Sequence, residues 1–267
     1  MRPIITLTTD FGLDDHFVGT IKGVILSIAP EARLVDISHA IEPFDIVGGA
    51  LSIAHAYSYF PSGTIHLVVV DPGVGSARRP ILATTGPHRF VAPDNGVLSL
   101  VFEREVRLSV RHITAEHYYH QPVSQTFHGR DVFAPVAARL ALGVDPGHFG
   151  EEIHDFMRLD LPHPVKNEVG TIVGEVLRVD HFGNLITNIT PADASFLFQG
   201  GASGFRIVLA ENEICRMRTA YAEGEPGEVF GILGSMGFLE LVSNRDSAAR
   251  ILGAGRGSSV KVEGFAT

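Results

Sequence analysis

The sequence predicts an α/β N-terminal domain with a central mixed or parallel sheet, followed by a smaller all-β, barrel-like C-terminal domain. Three observations carry that expectation. Strand-like and helix-like segments alternate through the first half, the second half is almost entirely strand-like, and the stretch Leu161-Pro162-His163-Pro164 separates the two patterns. Residues 1–163 are therefore read as the α/β domain and residues 164–267 as the barrel-like one.

Ile4–Thr8 is a β-rich run ending in Asp10-Phe11-Gly12. Phe17, Ile21, Val24, Ile25 and Ile28 recur at helical spacing and stop before Pro30, which predicts a helix over 17–28. Arg33–Ser38 reads as the next strand and Ile46–Tyr59 as an amphipathic helix closed by Pro61-Ser62-Gly63. The unbroken apolar run Ile65–Val70 predicts a strand covered on both faces. Ile81–Thr85 and Arg89–Ala92 flank Gly86-Pro87 as a hairpin, and Arg130–Leu142 predicts a third helix. Beyond the linker, strands are expected at Thr171–Val179, Asn184–Ile189, Phe205–Leu209, Val229–Leu233, Phe238–Val242 and Ser259–Val262. Only Ser247–Leu252 looks helical there, and short strands with glycine-rich turns predict a small barrel or sandwich.

Composition narrows the function. With 45% hydrophobic and 19% charged residues in 267, the chain can bury a substantial core. No apolar stretch approaches the roughly 20 residues of a membrane helix, so no membrane partner is expected. A net charge of -9 argues against nucleic acid, whose phosphates need a basic face, and suits a cationic ligand. Cys215 is the single cysteine, so no internal disulfide can form, and Met1–Thr6 lacks the apolar core of a secretion signal. Both point to the cytoplasm.

Three polar clusters fall where strands end, the edge at which open α/β sheets bind ligands. The first holds Asp10, then Asp14, Asp15 and His16. Asp10 is placed to accept hydrogen bonds from ribose hydroxyls. Asp14 and Asp15 read either as helix caps or as part of a ligand site, and a metal site built from the four is the lesser alternative. The second runs from Asp71 through Pro72-Gly73-Val74-Gly75 to Arg78. It puts a carboxylate and a guanidinium together, as an oriented water requires or as a structural ion pair. Neither phosphate-loop pattern is met there. The third, Thr126-Phe127-His128-Gly129-Arg130-Asp131, offers a histidine able to act as a base near neutral pH. In the second half, Asp180-His181-Phe182-Gly183-Asn184 and Gly234-Ser235-Met236-Gly237-Phe238-Leu239-Glu240 are either hairpin turns or the binding surface for a zwitterionic ligand. No Gly-x-Ser-x-Gly elbow is present, which disfavours acyl-enzyme chemistry.

Taken with Ala92-Pro93-Asp94-Asn95-Gly96, these blocks resemble the S-adenosylmethionine (SAM) hydroxide adenosyltransferase family across essentially the whole chain. Its relatives are the fluorinases and chlorinases. The resemblance implies hydrolysis of SAM at ribose C5′ to adenosine and methionine, with no cofactor and no metal. It implies a homotrimer, with substrate held between the first domain of one subunit and the second domain of its neighbour. Asp71, Arg78 and His128 would place and activate water, with His128 and Asp71 accepting or relaying its proton, and Asp10 would hold the ribose. Asp180, Asn184, Ser235 and Glu240 would surround the methionine portion, and the loop at Asn244 and Arg245 would approach adenine. Halogenating relatives carry a serine where this chain has Gly129, which favours hydrolysis over the alternative of C5′ halogenation. A non-catalytic adenosine or SAM binder is the other alternative.

Overall fold

Strand β1 (Ile4–Thr9) lies second from the edge of a seven-stranded sheet, and every residue after its first is buried. The computed structural model describes residues 2–168, 170–198 and 204–265. The chain divides into two units, Met1–Leu159 and Asp160–Thr267.

In the first unit, β1 is followed by α1 (Phe17–Ile28), β2 (Arg33–Ser38), α2 (Ile46–Ala56), β3 (Ile65–Val69), β4 (Pro80–Thr84) and β5 (Arg89–Pro93). Then come α3 (Ser99–Arg104), β6 (Ser109–His112), α4 (Ala134–Ala141) and β7 (Glu152–Ile153). The sheet order is β2-β1-β3-β5-β4-β6-β7. The first four strands in that order are parallel, and β4, β6 and β7 then alternate in direction. The sheet is thus mixed, and the hairpin of β4 and β5 forms around Gly86-Pro87 as expected.

Both faces are covered. Ile5, Leu7, Leu67 and Val69 pack with Ile21 and Ile25 of α1 and Val136 and Leu140 of α4. Val68, Val70 and Phe90 pack on the other side with Ile53 of α2 and Val101 of α3. All five residues of β3 are buried, as its apolar run predicts. Because β2 lies on one side of β1 and β3 on the other, strand order reverses at β1, and the crevice beside its carboxyl end is where such sheets bind ligands.

Two helices differ from expectation, each for a local reason. The helix expected to run to Tyr59 ends at Ala56 and tightens into a single 3-10 turn over Tyr57–Tyr59. The helix expected from Arg130 begins as a wide π turn, Gly129–Phe133, and is regular only over Ala134–Ala141. Pro135 has no N–H for the carbonyl of Asp131, and that carbonyl accepts from the His120 amide at 2.8 Å instead.

The second unit contains β8 (Val165–Lys166), β9 (Ile172–Val179), β10 (Leu185–Thr187), α5 (Ser195–Phe198), β11 (Phe205–Leu209) and β12 (Asn212–Ile214). These are followed by β13 (Val229–Leu233), β14 (Leu239–Ser243), α6 (Ala248–Leu252) and β15 (Ser259–Gly264). The strands form one antiparallel sheet in the order β12-β11-β15-β9-β10-β14-β13, with β8 beside β9. Its two ends come together: just past β12, the Arg216 carbonyl accepts from Gly231 of β13, and the Arg218 amide donates back to Gly231, both at 2.9 Å. The sheet is therefore a nearly closed barrel rather than a sandwich. Its interior is filled by Ile172, Val176, Leu185, Ile207, Leu241 and Val260, among others.

Candidate active site

The carboxyl ends of β1 and β3 deliver Asp10 and Asp71 to one edge of the first sheet. The end of β3 is tied down by Asn95, whose Nδ2 donates to the Val70 carbonyl at 2.8 Å while its Oδ1 accepts from Val97 at 3.1 Å. From Asp71 the chain turns through Gly73 and Gly75. Gly75 has φ +78, and a Cβ there would fall 2.3 Å from the Gln125 carbonyl oxygen, so only glycine lets this turn pack against the loop leading to His128.

Arg78 returns beneath the turn and grips Asp71 with both edges of its fork. Nε donates to Oδ1 at 2.9 Å and Nη2 to Oδ2 at 2.5 Å. The same Nη2 reaches His128 Nδ1 at 2.8 Å. The guanidinium lies 5.1 Å from the centre of the Phe133 ring, and the Arg78 and Asp71 side chains are only 8% and 5% exposed. Asp71, Arg78 and His128, distant in sequence, thus form one buried cluster. Arg78 Nη1 is buried and has no hydrogen-bond partner.

A guanidinium can only donate hydrogen bonds. His128 Nδ1 therefore accepts, and the neutral imidazole carries its proton on Nε2. Burial holds the His128 pKa below its usual value, and the nearby Arg78 charge adds to that effect. The loop entering His128 is itself anchored: fully buried Asp131 accepts from Arg130 Nε at 2.6 Å and from the Ser124 amide at 2.9 Å.

Asp10 accepts from the Phe44 amide through Oδ2 at 2.9 Å. Burial pushes its carboxyl pKa up, against the pull of that amide, and the charge of Asp71 pushes the same way. Phe44 was missed by sequence reasoning. It sits at φ +70 with 71% of its surface exposed, a strained backbone beneath an unburied aromatic ring. Nothing in Glu42-Pro43-Phe44-Asp45 marks it in sequence. The capping role considered for Asp14 and Asp15 is not what the structure shows. His16 is the residue before α1, with no side-chain cap, and both aspartates are exposed. Among the described residues, no three His, Cys, Asp or Glu side chains gather as a metal-binding group.

In the second unit, Asp180, Asn184 and Arg245 line a cavity of about 630 Å³ together with Phe182, Tyr221 and Ser243. Asp180 organises its own turn, accepting from the amides of Phe182 and Asn184 and from Asn184 Nδ2 at 2.8–2.9 Å. Glu240 is buried in the same unit. Burial pushes its carboxyl pKa up, and Asp180 adds to the shift. Ser235 stands apart, in an exposed turn that does not line the cavity. Tyr221 and Ser243, whose buried hydroxyl has no partner, were not singled out from the sequence because neither lies in a turn motif.

A carboxylate-held arginine, a histidine that accepts from it and an aspartate at the neighbouring strand end share one sheet edge, in a chain that matches known proteins over most of its length. Residues 5–150 match the model of the SAM hydroxide adenosyltransferase N-terminal domain, and residues 174–261 that of its C-terminal domain. The chain belongs to the SAM hydroxide adenosyltransferase family. A (R)-S-adenosyl-L-methionine hydrolase of Salinispora tropica is 38% identical over 97% of both chains. A fluorinase of Nocardia brasiliensis is more distant, 28% identical over 98% of this chain and 97% of its own. The crystal structure of an uncharacterized conserved protein from Thermotoga maritima superposes with a TM-score of 0.88 at 35% identity, covering 97% of this chain and 99% of that one. The resemblance read from the sequence blocks is thus the family to which the chain belongs.

Proposed function

We propose that this protein hydrolyses SAM at ribose C5′, giving adenosine and methionine, without a cofactor. The observation that carries the reading is the buried Arg78, gripped by Asp71 and donating to His128 Nδ1, which leaves His128 Nε2–H as a donor. A hydroxide ion suits this cluster: it accepts from His128 Nε2–H and is favoured by the positive charge of the Arg78 guanidinium behind it. The donor and the charge favour hydroxide over water, whose own protons they cannot accept, and so lower the pKa of the bound water. This changes the part assigned to His128. Its Nδ1 is engaged by a group that never releases its proton, so His128 serves as a donor to the nucleophile rather than as its base. The water's proton leaves to solvent.

The oxygen then attacks C5′ in line with the departing sulfur. The C–O bond forms as the C–S bond breaks, and the bonding pair returns to sulfur, which leaves as the neutral thioether of methionine. A sulfonium needs no protonation to leave. Holding oxygen and C5′ at contact distance supplies much of the remaining acceleration. Asp10 binds the ribose diol. Asp180, Asn184 and the carboxyl of Glu240 hold the methionine portion, and Arg245 lies toward adenine.

The family resemblance also supports a cytoplasmic homotrimer whose sites draw on the first unit of one subunit and the second unit of a neighbour. Mixing Arg78→Ala with Glu240→Ala subunits, each inactive alone, is then expected to restore part of the activity in hybrid trimers. Recovery absent after verified subunit exchange would sink that arrangement.

The deciding experiment is product analysis after incubation with SAM, with and without chloride. Adenosine and methionine independent of halide are expected. A 5′-chloro nucleoside would make the protein a halogenase, and a stable complex with intact SAM would make it a binding protein. A second expectation concerns His128. Its titration, followed by NMR, should have a midpoint below the usual 6.5, because burial and Arg78 both disfavour the imidazolium. A midpoint above 6.5 would mean that Nδ1 does not face Arg78.

A further inference from the structure

Parallel pairing of β1 with β2 keeps register from Ile4 opposite Arg33 to Leu7 opposite Asp36, then slips, so that Thr8 faces Ser38. The irregularity falls just before the strand delivers Asp10. On the β2 side the ladder therefore loosens just before the binding carboxylate, while the β3 side keeps register through Thr9 opposite Val69.

Side chains take over at that point. The Thr9 hydroxyl lies 2.7 Å from His39 Nδ1, and both residues are buried. Thr9 Oγ1 also accepts from the Phe11 amide at 3.3 Å. The far nitrogen of His39, Nε2, faces Asp36 Oδ1 at 3.0 Å, a close polar contact rather than an aligned hydrogen bond, and Asp36 is in turn held by Lys22 at 2.6 Å. The His39 carbonyl accepts from the Gly12 amide at 2.8 Å. Residues 9–12 are thereby stapled to the exit of β2 by main chain and side chain together. Asp10 sits inside the staple, and its Oδ2 meets the Phe44 amide from the same segment. The arrangement is consistent in protons: Thr9 O–H donates to Nδ1, and Nε2–H points at Asp36.

We propose that His39, acting through Thr9, is a positioning residue for Asp10 and sets the enzyme's affinity for the ribose diol. This rests on the reading of Asp10 as the diol acceptor, and the test separates the two. His39 touches no substrate in this scheme, so its loss weakens ground-state and transition-state binding alike, which raises KM and spares kcat.

Three substitutions probe it. His39→Asn keeps an acceptor near the position of Nδ1. His39→Gln reaches toward Asp36 and leaves the Thr9 hydroxyl without its partner. Thr9→Val removes the hydroxyl at constant shape. His39→Gln and Thr9→Val are expected to raise KM for SAM about tenfold, the size of one buried hydrogen bond, with kcat within about twofold, while His39→Asn stays near wild type. Adenosine and 2′,3′-dideoxyadenosine as competitive inhibitors supply the decisive readout. The wild type should prefer adenosine, and His39→Gln and Thr9→Val should lose that preference by weakening adenosine alone. A wild type indifferent to the diol would overturn the reading of Asp10. A wild type that discriminates, with variants that discriminate equally well, would overturn the role of His39. So would a fall in kcat with KM unchanged. If His39→Gln does not fold, Thr9→Val, which alters no charge, separates the same outcomes.

Discussion

Arg78→Ala is expected to lower kcat for SAM hydrolysis by on the order of a thousandfold while KM changes only a few-fold, because the lost charge acts on the nucleophile rather than the substrate. Arg78→Lys should not rescue it. An ammonium can meet one face of Asp71 or reach His128, but it lacks the planar fork that does both. The same change should also reduce stability. Asp71 has a 5% exposed side chain, and without its partner it becomes a buried, uncompensated charge, at a cost of about 3 kcal/mol or more. Adding Asp71→Asn to Arg78→Ala should recover much of that stability and none of the activity. Steady-state kinetics and urea unfolding on the single and double variants check both halves. Near-normal turnover by Arg78→Ala would remove the arginine from the chemistry.

The second large effect concerns stability in acid and comes from the core, away from the sheet edge. His66 is fully buried in β3, with Nδ1 2.8 Å from the Thr6 hydroxyl, Nε2 3.4 Å from His88 Nδ1 and its ring stacked on Phe90. Burial, aided by the charge of His88, pushes its pKa down from 6.5 to about 3. The unfolded chain therefore takes up a proton near pH 6.5 that the folded protein refuses. Stability from this residue is complete above 6.5 and falls by about 1.4 kcal/mol per pH unit as pH drops toward about 3. Between neutrality and pH 5 the loss should be roughly 2 kcal/mol, and His88, also shifted down by burial, adds to it in the same direction. His66→Asn keeps a polar partner for Thr6 near the position of Nδ1 and removes the titration, so its unfolding free energy should depend less steeply on pH. An unchanged slope would mean that the histidine is charged in the core.

Much of the fold was legible because periodicity and punctuation agree. α1 and β2 have the bounds that Phe17–Ile28 and Arg33–Ser38 predict, and β11 and β13 match Phe205–Leu209 and Val229–Leu233. What was missed is short or irregular. α3 has six residues, α5 four, and β7 and β8 two each, too few for a period to show. The π turn at Gly129–Phe133 goes with Pro135, whose missing N–H frees the Asp131 carbonyl, but the His120 amide that takes up this carbonyl is not apparent from the local pattern. The site divides in the same way. Asp10, Asp71 and His128 stand in recognisable blocks at strand and helix ends. Phe44 owes its place to a backbone angle, Tyr221 and Ser243 to the curvature of a barrel, and the direction of the Arg78–His128 bond to geometry alone.

The meeting of Arg216 and Arg218 with Gly231 has a consequence for how other molecules meet this unit. Those two main-chain bonds join the chain just past β12 to β13, so the two end strands of the sheet do not both stand as fully open edges. A newcomer strand finds less open edge on which to add, which narrows the commonest route to fibrous self-association. Any surface by which another molecule docks on this unit is then written mainly in side chains and turns, where single substitutions can redraw it without disturbing the barrel beneath.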